Sequence, residues 1–229
     1  MCLSVPRPMN IFETFLNGRV FLETLPLVLS GLAVTLELGF ASIVLGLLLG
    51  LVLALLRLYA ARPWKWLAIA YIDLFRAIPV LVLLIVIYNA LPFVGLRLSA
   101  FASALTAISM VAGAYGAEIF RAGIEAVPKG QSEGALALGL HPMFVLFKVV
   151  LPQALVIVIP PMTSNAINVL KDTSLASVVA MPDLLKQANQ AQALEANPTP
   201  LITAALIYIL LLWPLVRLVG TLEKAKGRR

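Results

Sequence analysis

The chain has 229 residues, 61% hydrophobic and only 12% charged, with 17 Lys and Arg against 11 Asp and Glu for a formal net charge of +6. Soluble domains run nearer half apolar and a quarter charged, and disordered chains need low hydrophobicity with many charges, so both classes are excluded. The single cysteine, Cys2, and single histidine, His141, exclude a disulfide scaffold and leave too few ligands for a zinc site. What remains is one integral membrane domain over residues 1–229.

Residues 1–10 carry two prolines and no apolar core. No small-residue cleavage site follows a short apolar stretch, so a secretory leader does not fit, and the first span is expected to stay in the mature protein. A helix needs about 20 apolar residues to cross the hydrocarbon core. Charge-poor runs of that size predict five spans, at about 24–58, 67–92, 98–120, 147–171 and 199–219. The second has its charge-free stretch at 77–96. Residues 123–148 are of mixed polarity and do not span. Residues 173–182 are apolar but only ten long, so they read as a re-entrant or buried segment. The expected fold class is all-α and multi-pass, with five transmembrane helices and a cytoplasmic loop.

In the first span Ser42, Gly46, Gly50 and Ala54 recur every four residues. That spacing places small side chains on one helical face, where a second helix can approach closely. Glu37 lies in the same span and needs a buried partner such as a hydroxyl, or a place at an interface between subunits.

Orientation follows from the basic residues. With the N-terminus outside, Arg57, Arg62, Lys65, Arg76, Arg121, Lys129, Lys148, Arg217, Lys224, Lys226, Arg228 and Arg229 face the cytoplasm. Arg7, Arg19, Arg97, Lys171 and Lys186 face out or lie within the protein, giving twelve against five. The basic tail at 224–229 either lies on anionic head groups or is solvated. The basic residues are spread over loops rather than gathered on one face, which argues against nucleic acid as a partner.

The loop at 123–148 carries the most information. Pro128 and the hydroxyl of Ser132 suit a helix opening. A short helix is expected from about Gln131 to Leu138, with Glu133 in its first turn, where the dipole favours an anion. Gly139 can end it in a left-handed conformation. His141-Pro142 then opens a second short helix, with His141 as a surface or capping residue. The resulting knob exposes Ala135, Leu136, Leu138, Leu140, Met143 and Phe144. That much apolar surface suits docking into a partner's groove, or lying on the membrane surface.

Glu133-Gly134-Ala135, three residues, Gly139, nine residues, Val149, one residue, Leu151-Pro152 resembles the signature loop of ABC-importer permeases. There Glu-Ala-Ala is followed by Gly and then Ile-x-Leu-Pro. Gly134 replaces Ala, which weakens the helix by up to about 1 kcal/mol, and Val149 replaces Ile. Phe75-Arg76-Ala77-Ile78-Pro79, the stretch Ala114 to Arg121, Val127 to Gln131, and Lys171-Asp172-Thr173-Ser174-Leu175 look like the polar amino-acid uptake branch of that family. The resemblance covers about residues 20–220.

The resemblance implies a type I ABC-importer permease fold with a coupling helix, in the plasma (inner) membrane of a prokaryote. It implies that Glu133, Gly134, Ala135, Gly139, Leu140, His141, Val149, Leu151 and Pro152 couple the chain to an ATPase. The partners it implies are two ATPase subunits, a second permease subunit (identical or related) and an extracytoplasmic amino-acid-binding protein. No Gly-x-x-x-x-Gly-Lys-Ser/Thr phosphate loop occurs in this sequence. ATP and Mg would therefore be held by the partner ATPase, and this chain is expected to hold no cofactor or metal.

Polar groups inside spans are functional candidates. Asn165, Asn168 and Asp172 fall at i, i+3 and i+7, on one face of the fourth span. That face could line a substrate path, with amides for an amino-acid backbone and Asp172 for an ammonium. Alternatively Asp172 pairs with a basic group and the amides join helices, which is the commoner use. Thr173, Ser174 and Ser177 could satisfy a broken backbone or gate the path, or sit in a short buried turn. Glu118 and Arg121, three apart, are expected to pair with each other or with Arg76 in support of the loop.

Two other classes compete. An intramembrane protease would need a serine with a nearby histidine, or His-Glu-x-x-His. The lone His141 sits in the loop, and neither Gly-x-Ser-x-Gly nor the zinc motif occurs, so no catalytic residue is expected. A stand-alone channel or secondary transporter would need no ATPase. Five spans are few for an inverted-repeat design, and the knob would have no use.

Overall fold

The computed structural model describes residues 11–226. Among them every regular element is helical. A short α1 (Ile11–Phe15) precedes α2 (Gly18–Tyr59), a 42-residue helix. The Asn17 side chain caps α2, its oxygen accepting from the N–H groups of Arg19 (3.1 Å) and Val20 (3.2 Å). The helix thus opens six residues before the apolar run at 24–58. Its polar first turns are held by an Arg19–Glu23 pair at 2.8 Å.

The second apolar run is not one straight span. Helix α3 (Arg62–Ala77) stops at Ile78, and α4 (Val80–Ile85) continues through a π turn (Val86–Ala90) and a tighter 3-10 turn (Leu91–Val94). The two arms meet at 102°. Pro79 is the cause: it has no N–H, and it forces Ile78 out of the helical region, to φ −89° and ψ 131°. Four described helices are long and apolar enough to cross a membrane, and a fifth crossing exists only if the bent pair counts as one.

Next comes α5 (Ala100–Glu125), capped by Ser99, then α6 (Lys129–Ala137) and α7 (Pro142–Val145). The second piece of the loop is not a separate helix. It runs through a π turn (Leu146–Val150) into α8 (Leu151–Asp172). A 3-10 helix (Thr173–Val179) follows, with Thr173, Ala176 and Val179 buried. This is the short apolar segment: one side of it packs into the protein, while Val178 stays 58% exposed.

Helix α9 (Leu184–Glu195) was not foreseen, and α10 (Thr199–Lys226) completes the chain. Asn17 N–H donates to the Thr199 hydroxyl (3.1 Å), and the Asn197 side chain donates to the Glu13 carbonyl (3.3 Å). One end of the bundle is thereby tied across α2 and α10.

The small face of α2 is longer than its four-residue motif. Thr35, Ser42, Gly46, Gly50 and Ala54 are all buried. A Cβ on Gly50 would stand 3.0 Å from backbone atoms of Ala117, Gly113 and Gly116 in α5. Further up, a Cβ on Gly31 would meet the Asp183 carbonyl at 2.6 Å, so α9 is seated against bare backbone. Glycine there brings the chains together, because no larger residue fits. The main core gathers Leu38, Leu84, Ile108 and Met181 with the alanines of α5.

Asp183 has no exposed surface. One carboxylate oxygen caps α9 by accepting from Lys186 N–H (3.0 Å), and the other has no partner among the described residues. Burial pushes this carboxyl up to about 6, although backbone N–H groups of Lys186 and Leu185 favour the anion. Its folded pKa exceeds the ordinary value of about 3.9, so the folded chain keeps a proton that the unfolded chain releases. The resulting stability is full below about pH 4 and is lost as pH rises through about 6. Asp183→Asn retains the cap and removes the titration. In detergent, the parent's melting temperature should fall from pH 4 to 7, by the equivalent of at most about 3 kcal/mol. The variant should show a flatter profile over that range, and equal slopes would disprove the assignment.

Candidate functional site

Two regions hold most of the sequence candidates: the loop between α5 and α8, and a cavity where the α3–α4 bend meets α5 and α8. In the loop, α6 starts at Lys129 behind Pro128, two residues earlier than expected. Glu133 therefore lies in the second turn, beyond the strongest field of the helix dipole. Ser132 does not cap the helix; its hydroxyl donates to the Lys129 carbonyl at 2.8 Å. Gly139 is left-handed at φ +79°. Its N–H reaches the Leu136 carbonyl (2.9 Å), while Leu140 N–H reaches that of Ala135 (3.4 Å), which closes the helix end. His141 caps α7, its Nδ1 accepting from Met143 N–H at 3.3 Å.

The loop's candidate residues divide by direction. Ala135, Leu140, Val149 and Leu151 pack against a small cluster built on Ile124, Val127, Val145 and Val150. Glu133, Gly134, Gly139, His141 and Pro152 are exposed. The spacing thus fixes a short helix to the bundle by one side and presents the other side outward. Leu138 (83% exposed), Met143 and Phe144 extend that outer surface. Exposed apolar groups beside one carboxylate suit a groove in another protein.

At the foot of the loop, Glu118 pairs with Arg121 (2.7 Å), as the spacing predicts, and Arg121 with Glu125 (2.6 Å). The other Glu118 oxygen is taken by Arg57 of α2 rather than by Arg76. This four-residue network joins the ends of α2 and α5 from which the loop departs.

The intramembrane cavity has a volume of about 420 Å³. Asn165, Asn168 and Asp172 line it together, across from Arg76, Pro79 and Tyr115. Asn165 also joins helices, its amide donating to the Ala112 carbonyl of α5 at 3.3 Å. Thr173 lies elsewhere: it has no exposed surface, and its hydroxyl donates to the Leu170 carbonyl at 2.7 Å. Ser174 donates to the Lys171 carbonyl (2.7 Å) and lines a different, mostly apolar cavity beside Tyr208 and Trp213. Ser177 donates to the Ser174 carbonyl at 2.8 Å. Among the described residues Glu37 forms no ion pair or hydrogen bond; it is exposed, so the expected hydroxyl partner is not there.

Arg76 and Tyr115 are the cavity residues that sequence spacing missed. The Arg76 guanidinium lies 5.5 Å from the Tyr115 ring centroid. Their meeting depends on the bend at Pro79, which no periodicity count registers.

A multi-pass helical bundle, with a polar cavity at a broken span and an apolar surface on the loop outside it, is the architecture of a membrane transport subunit. Residues 46–228 match the family described as binding-protein-dependent transport system inner membrane component, and the chain belongs to that family. It is similar to the arginine transport system permease protein ArtQ of Bacillus subtilis (strain 168), at 36% identity over 86% of this chain and 90% of that protein. It is similar to the L-cystine transport system permease protein TcyB of the same organism, at 36% identity over 89% and 86%. Among solved structures, an amino acid ABC transporter with histidines aligns with a TM-score of 0.83 at 35% identity, covering 90% of this chain and 96% of that one. The inward-facing methionine transporter MetNI aligns at a TM-score of 0.73 and 24% identity, over 87% and 98%, and speaks for the fold alone.

Proposed function

We propose that this chain is the permease subunit of an ATP-driven importer of polar amino acids. The observation that carries the reading is the loop at 129–152, which is anchored on one side and leaves Glu133 and an apolar surface outward. The relatives named for arginine and cystine transport support the solute class. Two ATPase subunits, holding ATP and Mg, receive the loop. An extracytoplasmic binding protein delivers the solute. A second permease, identical or related, covers the face on which Glu37 lies exposed, since a charge against lipid is costly. The membrane is a prokaryotic inner membrane, with the N-terminus outside and the loop and C-terminus in the cytoplasm; the basic asymmetry still favours this with Arg76, which lines the intramembrane cavity, set aside from the cytoplasmic set.

Transport then has a simple mechanical form. ATPase closure moves α6, and α6 is joined to α5 and α8 through the cluster around Ile124 and Val150. Tilting those helices opens the cavity to one side or the other. Within it, Asn165 and Asn168 offer amide donors and acceptors, and Asp172 a carboxylate for the solute's ammonium. Co-purification tests the reading: a stable ATPase partner supports the importer, and its absence favours a stand-alone channel. Asp172→Asn should lower uptake by the reconstituted complex about tenfold, the loss of one charge-assisted contact of roughly 1.5 kcal/mol. Unchanged uptake would remove Asp172 from the path.

A further inference from the structure

Two cavities meet at one pair of side chains. The outer holds Asn165, Asn168 and Asp172. The inner, about 790 Å³, holds Glu118 and Arg121. Among the described residues lining either, only Arg76 and Tyr115 line both. The guanidinium lies over the ring at 5.5 Å. The Tyr115 hydroxyl donates to the Arg76 backbone carbonyl at 3.5 Å. That carbonyl lies in the last turn of α3, where the helix leaves its acceptors unused. The pair therefore bridges the bend to α5.

We propose that Arg76, stacked on Tyr115, is the barrier between the two cavities, and that a solute carboxylate opens it by drawing the guanidinium off the ring. Among the described residues no carboxylate lies within 4 Å of Arg76. Glu118 below does not compete, because Arg57 and Arg121 hold one oxygen each. A cation over a ring in a wet site is weakly held, whereas a guanidinium–carboxylate pair is charge-assisted and bidentate. A carboxylate entering the outer cavity therefore wins the guanidinium. The same barrier answers to the ATPase side: α5 carries Tyr115 and ends three residues before the docking helix begins. Tilting α5 carries the ring away from an arginine fixed on α3. The carboxylate half of this proposal rests on the amino-acid reading; the barrier itself does not.

Two arms test it on the assembled permease–ATPase complex. In the first, Cys2 is replaced by serine and Asn168→Cys reports the outer cavity. Labelling is by a membrane-impermeant maleimide from the cytoplasmic side, without nucleotide. Labelling should be slow with Arg76 and Tyr115 in place, and at least about tenfold faster in Tyr115→Ala and Arg76→Gln. Tyr115→Phe, which keeps the ring face, should stay near the slow rate. Equal rates in all four overturn the barrier, and a fast Tyr115→Phe overturns the stack as its closure. Arg76→Gln alone decides this arm if Tyr115→Ala does not assemble. In the second arm, binding of a labelled amino acid and of its carboxamide is measured without the binding protein. Arg76→Gln should weaken the acid at least about tenfold and change the carboxamide little. Equal effects on both overturn the carboxylate role. If the parent binds no amino acid, the solute class fails, while the labelling arm still reads the barrier.

Discussion

Glu133→Lys is expected to abolish ATP-driven uptake while the chain still inserts and folds. The side chain is exposed in the second turn of α6, and among the described residues it forms no ion pair. Its replacement should therefore cost the isolated permease no more than about 0.5 kcal/mol. On the proposed docking its value lies in the docked state, where a carboxylate among apolar groups would be desolvated by the partner. Reversing its sign there removes one attraction and adds one repulsion. A loss of roughly 3 kcal/mol at such a contact lowers productive coupling about 100-fold. The check is uptake by the reconstituted complex beside melting of the permease alone. Uptake should vanish and melting should hold. Full uptake in Glu133→Lys would remove this residue from the docking surface.

Gly50→Leu is expected to have the largest effect on the fold itself. A Cβ at this position already stands 3.0 Å from three backbone atoms of α5, and the rest of a leucine has nowhere to go. The two helices must separate, and the buried contacts around Leu53, Ala54 and Ala117 loosen with them. Overpacking of this kind costs about 3 kcal/mol, which for a chain of this size lowers the melting temperature by about 6–12 °C. Gly134→Leu provides the contrast, since a Cβ on Gly134 meets nothing within 4 Å. The two variants differ in environment and not in chemistry, so equal melting would refute the account of the small face.

The parts of this molecule that the sequence revealed are those governed by a local rule. Charge gaps marked the spans because lipid forces each crossing backbone to satisfy itself as a helix. The spacing of Asn165, Asn168 and Asp172 was sufficient to place them on one surface, and all three line one cavity. Gly139 announced the left-handed helix end it forms. Failures came where a decision belonged to tertiary structure. The apolar count runs through Pro79 without slowing, so the 102° break was missed although its cause is printed in the chain. Helix α9 is polar in composition, which hid it. Its Leu184, Ala188 and Ala191 follow helical spacing and are fully buried, and Asp183 before them was an unused cap signal. Arg57 could not be matched to Glu118, 61 residues away, without knowing that α2 and α5 lie side by side. Thr173 and Ser174 adjoin the cavity-lining Asp172 in sequence, but the turn from α8 into the 3-10 helix points them elsewhere.

These particulars also locate the mechanism. On the proposed reading the outward half of the loop meets the partner; its inward half packs on the cluster around Ile124, Val150 and Ala154 of α5 and the start of α8, and Tyr115 and Asn168 of those helices line the cavity. A signal from the ATPase would thus reach the solute through continuous helix, with the Arg57–Glu118–Arg121 network holding α2 to α5 at the cytoplasmic end.

The most direct test of the central claim is ATP-driven uptake by the permease, its ATPase and its binding protein in proteoliposomes, against a panel of labelled amino acids. The account predicts uptake of at least one polar amino acid that requires ATP and is lost in Glu133→Lys. Failure of every amino acid either to be taken up or to stimulate ATP hydrolysis would contradict it.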